Sequence, residues 1–189
     1  MLNPFTLGDL NKDLQEDNNE DNSTHAHLDR CSGHLLSNDI TLSANNATAS
    51  VNIFQITGSI EVYRIYGSIK TAGTLTDCDS AYFDLYDSTT AFPITKNDGD
   101  IGGMGVGTFF SKEGVATVTM TVIDPVAGSV VEPATDKKAF TPFIVTQKTG
   151  ANTYVRFTYT TTDTPIAAVL SMHIEYREPP SGGGTIVAV

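Results

Sequence analysis

From residue 49 onward, apolar and polar residues alternate with a period of two. In "VATVTMTVI" (115–123), Val118, Met120 and Val122 fall on one side, and Thr117, Thr119 and Thr121 on the other. "YVRFTYTTT" sets Val155, Phe157 and Tyr159 against Arg156, Thr158 and Thr160. "AVLSMHIEYRE" sets Ala168, Leu170, Met172, Ile174 and Tyr176 against Ser171, His173, Glu175 and Arg177. Successive side chains of a strand point to opposite faces, so this pattern predicts strands with one wet face. Further strands are predicted over 51–57, 59–71, 81–86, 92–96, 108–111 and 140–146, separated by turn clusters such as "KNDGDIGG", "DPVAGS" and "TGANT". About eight or nine strands without a helical period predict an all-β fold, a β-sandwich or jelly roll. Gly58 is expected at a bend between consecutive strands, and Gly67 at a bulge or a close backbone approach.

Residues 1–48 read differently. Over residues 1–30 there are seven acids and two bases, and β-branched residues are scarce. Such a segment buries too little apolar surface to offset its ordering entropy. It is expected to be an acidic N-terminal arm, disordered when free, with a short helix around 7–14 capped by Thr6 or Asp9. The β domain is expected over 49–180. Residues 181–189 then form a Gly-rich spacer and an apolar tail, "TIVAV", suited to an edge strand on its own sheet or on a neighbouring copy.

Composition narrows the function classes. Twenty-six threonines against seven lysines and four arginines suit a pleated surface. A net charge of −11 opposes binding to nucleic acid, which needs basic groups to displace counterions, and to an anionic membrane. No apolar run approaches the roughly 20 residues of a membrane helix, and the N-terminus lacks the basic start and apolar core of a secretory signal. Cys31 and Cys78 make no disulfide framework; two free thiols are expected.

Several clusters invite chemistry. His25, His27, Cys31 and His34 lie within ten residues and carry good zinc-ligand groups, with Asp29 behind them. Their spacing matches no established finger, and an unliganded polar arm is the expectation. Asp77, Asp79, Asp98 and Asp100 are hard oxygen ligands of the kind calcium uses, yet the EF-hand order is absent and solvated loop carboxylates are expected. "GGMGVGT" (102–108) lacks the Lys-Ser/Thr pair of a phosphate loop and predicts a mobile or close-packing loop. His173, beside Glu175 on a polar strand face, would need a nucleophile and an orienting group to act as a base. No "GxSxG" occurs, so no enzyme and no cofactor is expected.

The segments "NIFQITGSIEVYRIYGSIKTA" and "VLSMHIEYREPPSGGG" resemble small virion proteins of tailed bacteriophages, of the capsid decoration or cement type. The shared pattern is an opening "F-x-I/V-T-G-x-I-x-V" strand pair, a Thr/Ala/Gly-rich middle and a final strand ending in Tyr, Pro and Gly, over roughly residues 50–185. The resemblance implies a β module on the capsid exterior, synthesised in the host cytoplasm. It would bind the major capsid protein and other copies of itself, as a homotrimer. Leu2, Phe5, Leu7, Leu10 and Leu14 are then expected as arm anchors, and Ile186, Val187 and Val189 as tail anchors. The rival expectation is a carbohydrate-binding module of a fibre or spike, with Tyr63, Tyr66, Tyr82, Tyr86 and Phe92 as stacking platforms. Those rings must then face solvent, whereas core aromatics must face the opposite sheet.

Overall fold

The computed structural model describes residues 33–43, 46–73, 78–112, 118–123, 142–162, 167–179 and 183–189. Among them there is no helix, and the strands form two antiparallel sheets, a β-sandwich. The strands are β1 (His34–Leu42), β2 (Thr48–Thr57), β3 (Ser59–Thr71), β4 (Cys78–Tyr86), β5 (Ala91–Pro93), β6 (Phe109–Ser111), β7 (Thr121–Ile123), β8 (Phe143–Thr146), β9 (Thr153–Thr161), β10 (Ala168–Arg177) and β11 (Thr185–Ala188). Sheet A runs β1-β10-β3-β6-β7, with β8 also pairing along β3; sheet B runs β11-β2-β9-β4-β5. Four of the pairings are nested in sequence: β1 with β10, β2 with β9, β3 with β8 and β4 with β5.

Alternation assigns the faces. On β10, Ala168, Leu170, Met172 and Ile174 are buried, while Ser171, His173 and Glu175 lie on the outer face. From the other sheet, Ile53, Phe54, Ile56, Phe83, Val155, Phe157 and Tyr159 join the same core. Phe83 and Phe157 meet edge-on at 5.5 Å, and Phe110 lies 5.6 Å from Phe157, so aromatic contacts bind the sheets through the middle.

Two glycines carry the geometry. At Gly58 (φ +71°) the chain leaves sheet B and enters sheet A, and the peptide oxygen of Gly183 would lie only 2.6 Å from a Cβ placed there. Gly184 lies against the Ser59 backbone so closely that no side chain fits there. Both Gly183 and Gly184 are therefore packed against the β2–β3 corner, not free spacer. At Gly67 the Phe110 ring and the Met172 sulfur fill the Cβ space, which is a close side-chain approach.

Several expectations change. The arm was expected to run to residue 48, but residues 34–42 form β1, paired along its full length with β10. Leu36, Ile40 and Leu42 alternate inward there, and the compact unit is His34–Val189. The strand expected over 115–123 is confined among the described residues to Thr121–Ile123, and Val118 is exposed instead of inward. The tail pairs with β2 of its own sheet, and Ile186 is buried in the core. Ile186 is thus an intramolecular anchor, which corrects its expected role as a partner-binding residue; Val187 and Val189 are 52% exposed. The glycine-rich segment 102–108 is tied to the end of β3, with Gly107 N donating to Ile69 O and Ile69 N donating to Thr108 O.

Candidate functional site

Three surfaces gather the polar and aromatic side chains that the core does not use. The first is the outer face of sheet A. Register aligns Ser37, His173 and Tyr66 across β1, β10 and β3. Ser37 Oγ and His173 Nδ1 share a hydrogen bond of 2.7 Å, and the imidazole stacks on Tyr66 at 4.8 Å. Burial moves the His173 pKa below its ordinary value, partly opposed by Asp39. In a hydrolytic triad the orienting carboxylate meets Nδ1 and the serine meets the other nitrogen. Here the serine occupies Nδ1, and Asp39 accepts from Lys70 Nζ at 2.5 Å. Hydrogen bonds from Lys70 and then Ser171 hold Asp39 below the usual carboxylate range. The Arg64 guanidinium lies 5.2 Å from the Tyr66 centroid, and that of Arg177 lies 5.1 Å from Tyr63 while its Nε donates to Glu61 at 2.5 Å.

The second surface is the outer face of sheet B. Asn52, Arg156 and Asp84 form one row across β2, β9 and β4. Arg156 Nε donates to Asp84 Oδ1 at 2.7 Å and its Nη2 to Oδ2 at 3.2 Å; Thr158 Oγ1 donates to Oδ2 at 2.7 Å. Asp84 is fully buried although it belongs to the solvent side of its strand. The guanidinium lies over Tyr86, 4.0 Å from the ring centroid.

The third is a half-open cleft of about 220 Å³ where β5 and the end of β4 meet β8. Leu85, Phe92, Ile144 and Val145 form its apolar lining. At its rim Lys148 Nζ donates to Asp87 at 2.8 Å and to Thr89 Oγ1 at 2.9 Å. The bonds from Lys148, then those from Thr89 and Thr90, hold the Asp87 carboxyl well below the usual range. Phe92 and Ile144 are 52% and 65% exposed.

The expected ligand clusters are placed only in part. His25, His27 and Cys31 lie outside the described residues; His34 heads β1 with its ring 5.3 Å from that of Tyr176. Asp77 also lies outside them. Asp98 accepts from Lys96 and Thr119, and Asp100 accepts from Gly102 N at 2.8 Å, so both carboxylates serve the loop itself. Among the described residues no three His, Cys, Asp or Glu side chains converge on one point. Cys78 is buried and free, and burial, then Asp79 and Asp100, push its thiol up to about 12. A thiol held protonated is a poor nucleophile. The arm positions Leu2, Phe5, Leu7, Leu10 and Leu14 lie outside the described residues as well.

Tyr63, Tyr66, Tyr82, Tyr86 and Phe92 all avoid the buried core, which is made instead by Phe54, Phe83, Phe110, Phe157 and Tyr159. However, guanidinium groups lie over the rings of Tyr63, Tyr66 and Tyr86, occupying faces a sugar would stack on. The Asp84–Arg156 pair was not singled out from sequence. Its trace there is a charged residue inside "YFDLYD", between two tyrosines of the same parity. Comparison of the chain with protein-family models, with curated proteins and with solved structures returns no match.

Proposed function

We propose that this chain is a non-catalytic virion structural protein, a decoration or cement protein that binds the outside of a phage head and bridges neighbouring capsid subunits. The observation that carries the reading is the placement of exposed apolar side chains at the lateral margins of the sandwich. Val187 and Val189 mark the β11 edge, Leu35 the adjoining β1 edge, and Phe92 and Ile144 the opposite side. Margins bearing apolar side chains and unpaired edge strands favour association with another chain. On the outer face of sheet B, by contrast, some cross-strand polar side chains bond to one another, such as Ser50 with Thr158 and Thr48 with Thr160.

The nested pairing of β1 with β10, β2 with β9, β3 with β8 and β4 with β5 supports a jelly-roll winding, in which one long ribbon of strand pairs wraps around the core. The resemblance of "NIFQITGSIEVYRIYGSIKTA" to phage virion proteins supports the same role. A net charge of −11 suits the exterior of a DNA-filled shell, where the module would meet the major capsid protein and copies of itself, as a trimer. Many weak edge contacts on a repeating lattice act collectively.

The test is quantitative mass spectrometry of purified particles. A copy number comparable to that of a shell subunit is expected. Substituting Ile144→Asp with Val187→Asp is expected to release the folded protein from the particle. Absence from particles, or full attachment of the double variant, overturns the reading.

A further inference from the structure

On the outer face of sheet B three rows of side chains lie in register. Ser50, Thr158 and Tyr82 form one; Asn52, Arg156 and Asp84 the next; Gln55, Tyr154 and Tyr86 the third. Arginine stands at the centre, amides and hydroxyls around it, and tyrosines at the margins. An ion pair buried in this way adds little net stability over apolar residues of the same size, because desolvating both charges opposes their attraction. What the pair does accomplish is orientation. Asp84 grips the guanidinium through Nε and Nη2, and the Tyr86 ring packs against it. Five N–H groups belong to a guanidinium, and two are directed at Asp84, which leaves three without a partner among the described residues.

The rotamer freedom of Arg156 is thus lost on folding instead of on binding, which is the condition for a preorganised recognition group. Its charge is offset by Asp84, and the chain as a whole carries −11, so an anionic ligand meets repulsion. A ligand rich in uncharged hydroxyls does not. Such a ligand accepts the spare guanidinium N–H groups and exchanges hydrogen bonds with the exposed Asn52 amide and the half-buried Tyr82 and Tyr154 hydroxyls.

We propose that the outer face of sheet B, centred on Arg156 and Asn52, is a binding platform for an uncharged polysaccharide. This site is separate from the apolar margins and does not depend on them for its chemistry.

The test presents the full chain to an array of neutral, uronate-bearing and sialylated oligosaccharides, and then titrates the best neutral binder by calorimetry. Binding to a neutral oligosaccharide is expected, with little dependence on salt. Arg156→Lys keeps the charge and loses the planar fork; Asn52→Ala removes an exposed amide whose side chain has no hydrogen-bond partner among the described residues. Each is expected to weaken affinity about tenfold. Ser68→Ala, on the outer face of sheet A, is expected to leave it unchanged. Retention of no neutral glycan, selective retention of acidic ones, or wild-type affinity in the folded Asn52→Ala variant overturns the proposal.

Discussion

Both outer faces of the sandwich lay arginine over tyrosine, but they treat the arginine's charge differently. On sheet A, Arg177 pairs with Glu61 where both side chains keep contact with water, at 32% and 18% exposure. On sheet B, Arg156 pairs with an Asp84 that water does not reach. Solvent screening makes the first pair nearly dispensable, whereas the second leaves an uncompensated buried charge if either partner is removed. An arginine–carboxylate pair is therefore a water-screened contact on one sheet and a rigid fixture on the other.

The sharpest test of that contrast is Asp84→Ala, which strands the Arg156 guanidinium. A loss of about 3–5 kcal/mol is expected in chemical denaturation. A loss below about 1 kcal/mol would place both faces in the same screened regime. Sheet A is instead demanding on its inner surface. Gly67→Ala drives a methyl to within 2.6 Å of the Phe110 ring and 2.7 Å of the Met172 sulfur, and is expected to cost about 1–3 kcal/mol. The companion variant Phe110→Leu should recover part of that loss, as a double-mutant cycle would reveal.

On the outer surface of sheet A the effects shrink. Glu61→Gln is expected to change stability by no more than about 1 kcal/mol, and by less in high salt. The smallest effect is one of pH. Burial holds His173 below its ordinary pKa of 6.5, so the folded state favours the neutral ring. Its contribution is present above pH 6.5 and is lost as pH falls through the lower folded value. His173→Gln should flatten that part of the stability profile below pH 6.5. An unchanged acid limb would assign it to carboxylates such as Asp39 or Asp87, whose folded values are depressed.

Alternation made the long strands legible. β3, β9 and β10 were readable because each carries several consecutive in–out repeats, and β3 has the bounds Ser59–Thr71 that were expected. β1 was hidden by its neighbours: "HLLSNDITL" follows an acidic stretch, and Asn38 interrupts its apolar parity. The structure explains Asn38, whose Nδ2 donates to Ile53 O at 2.9 Å and to Val189 O at 2.7 Å, tying β1 to β2 and to the chain's last residue. Short strands such as β5 and β6 offer too few residues for a period to be distinguished. The Asp84 site was illegible for another reason. An outward parity predicts exposure, whereas Asp84 is fully buried with Arg156 and Thr158 bonded to its carboxylate.

Local chemistry alone decided which segments extend, which face of each is apolar, and where glycine interrupts them, because side-chain parity and backbone freedom are properties of neighbouring residues. Strand pairing, the return of the tail to its own sheet and the burial of Asp84 came from tertiary contacts. They join positions far apart in the chain, such as Asp84 and Arg156 or Gly58 and Gly183, and no local pattern encodes which distant partner a strand edge will meet.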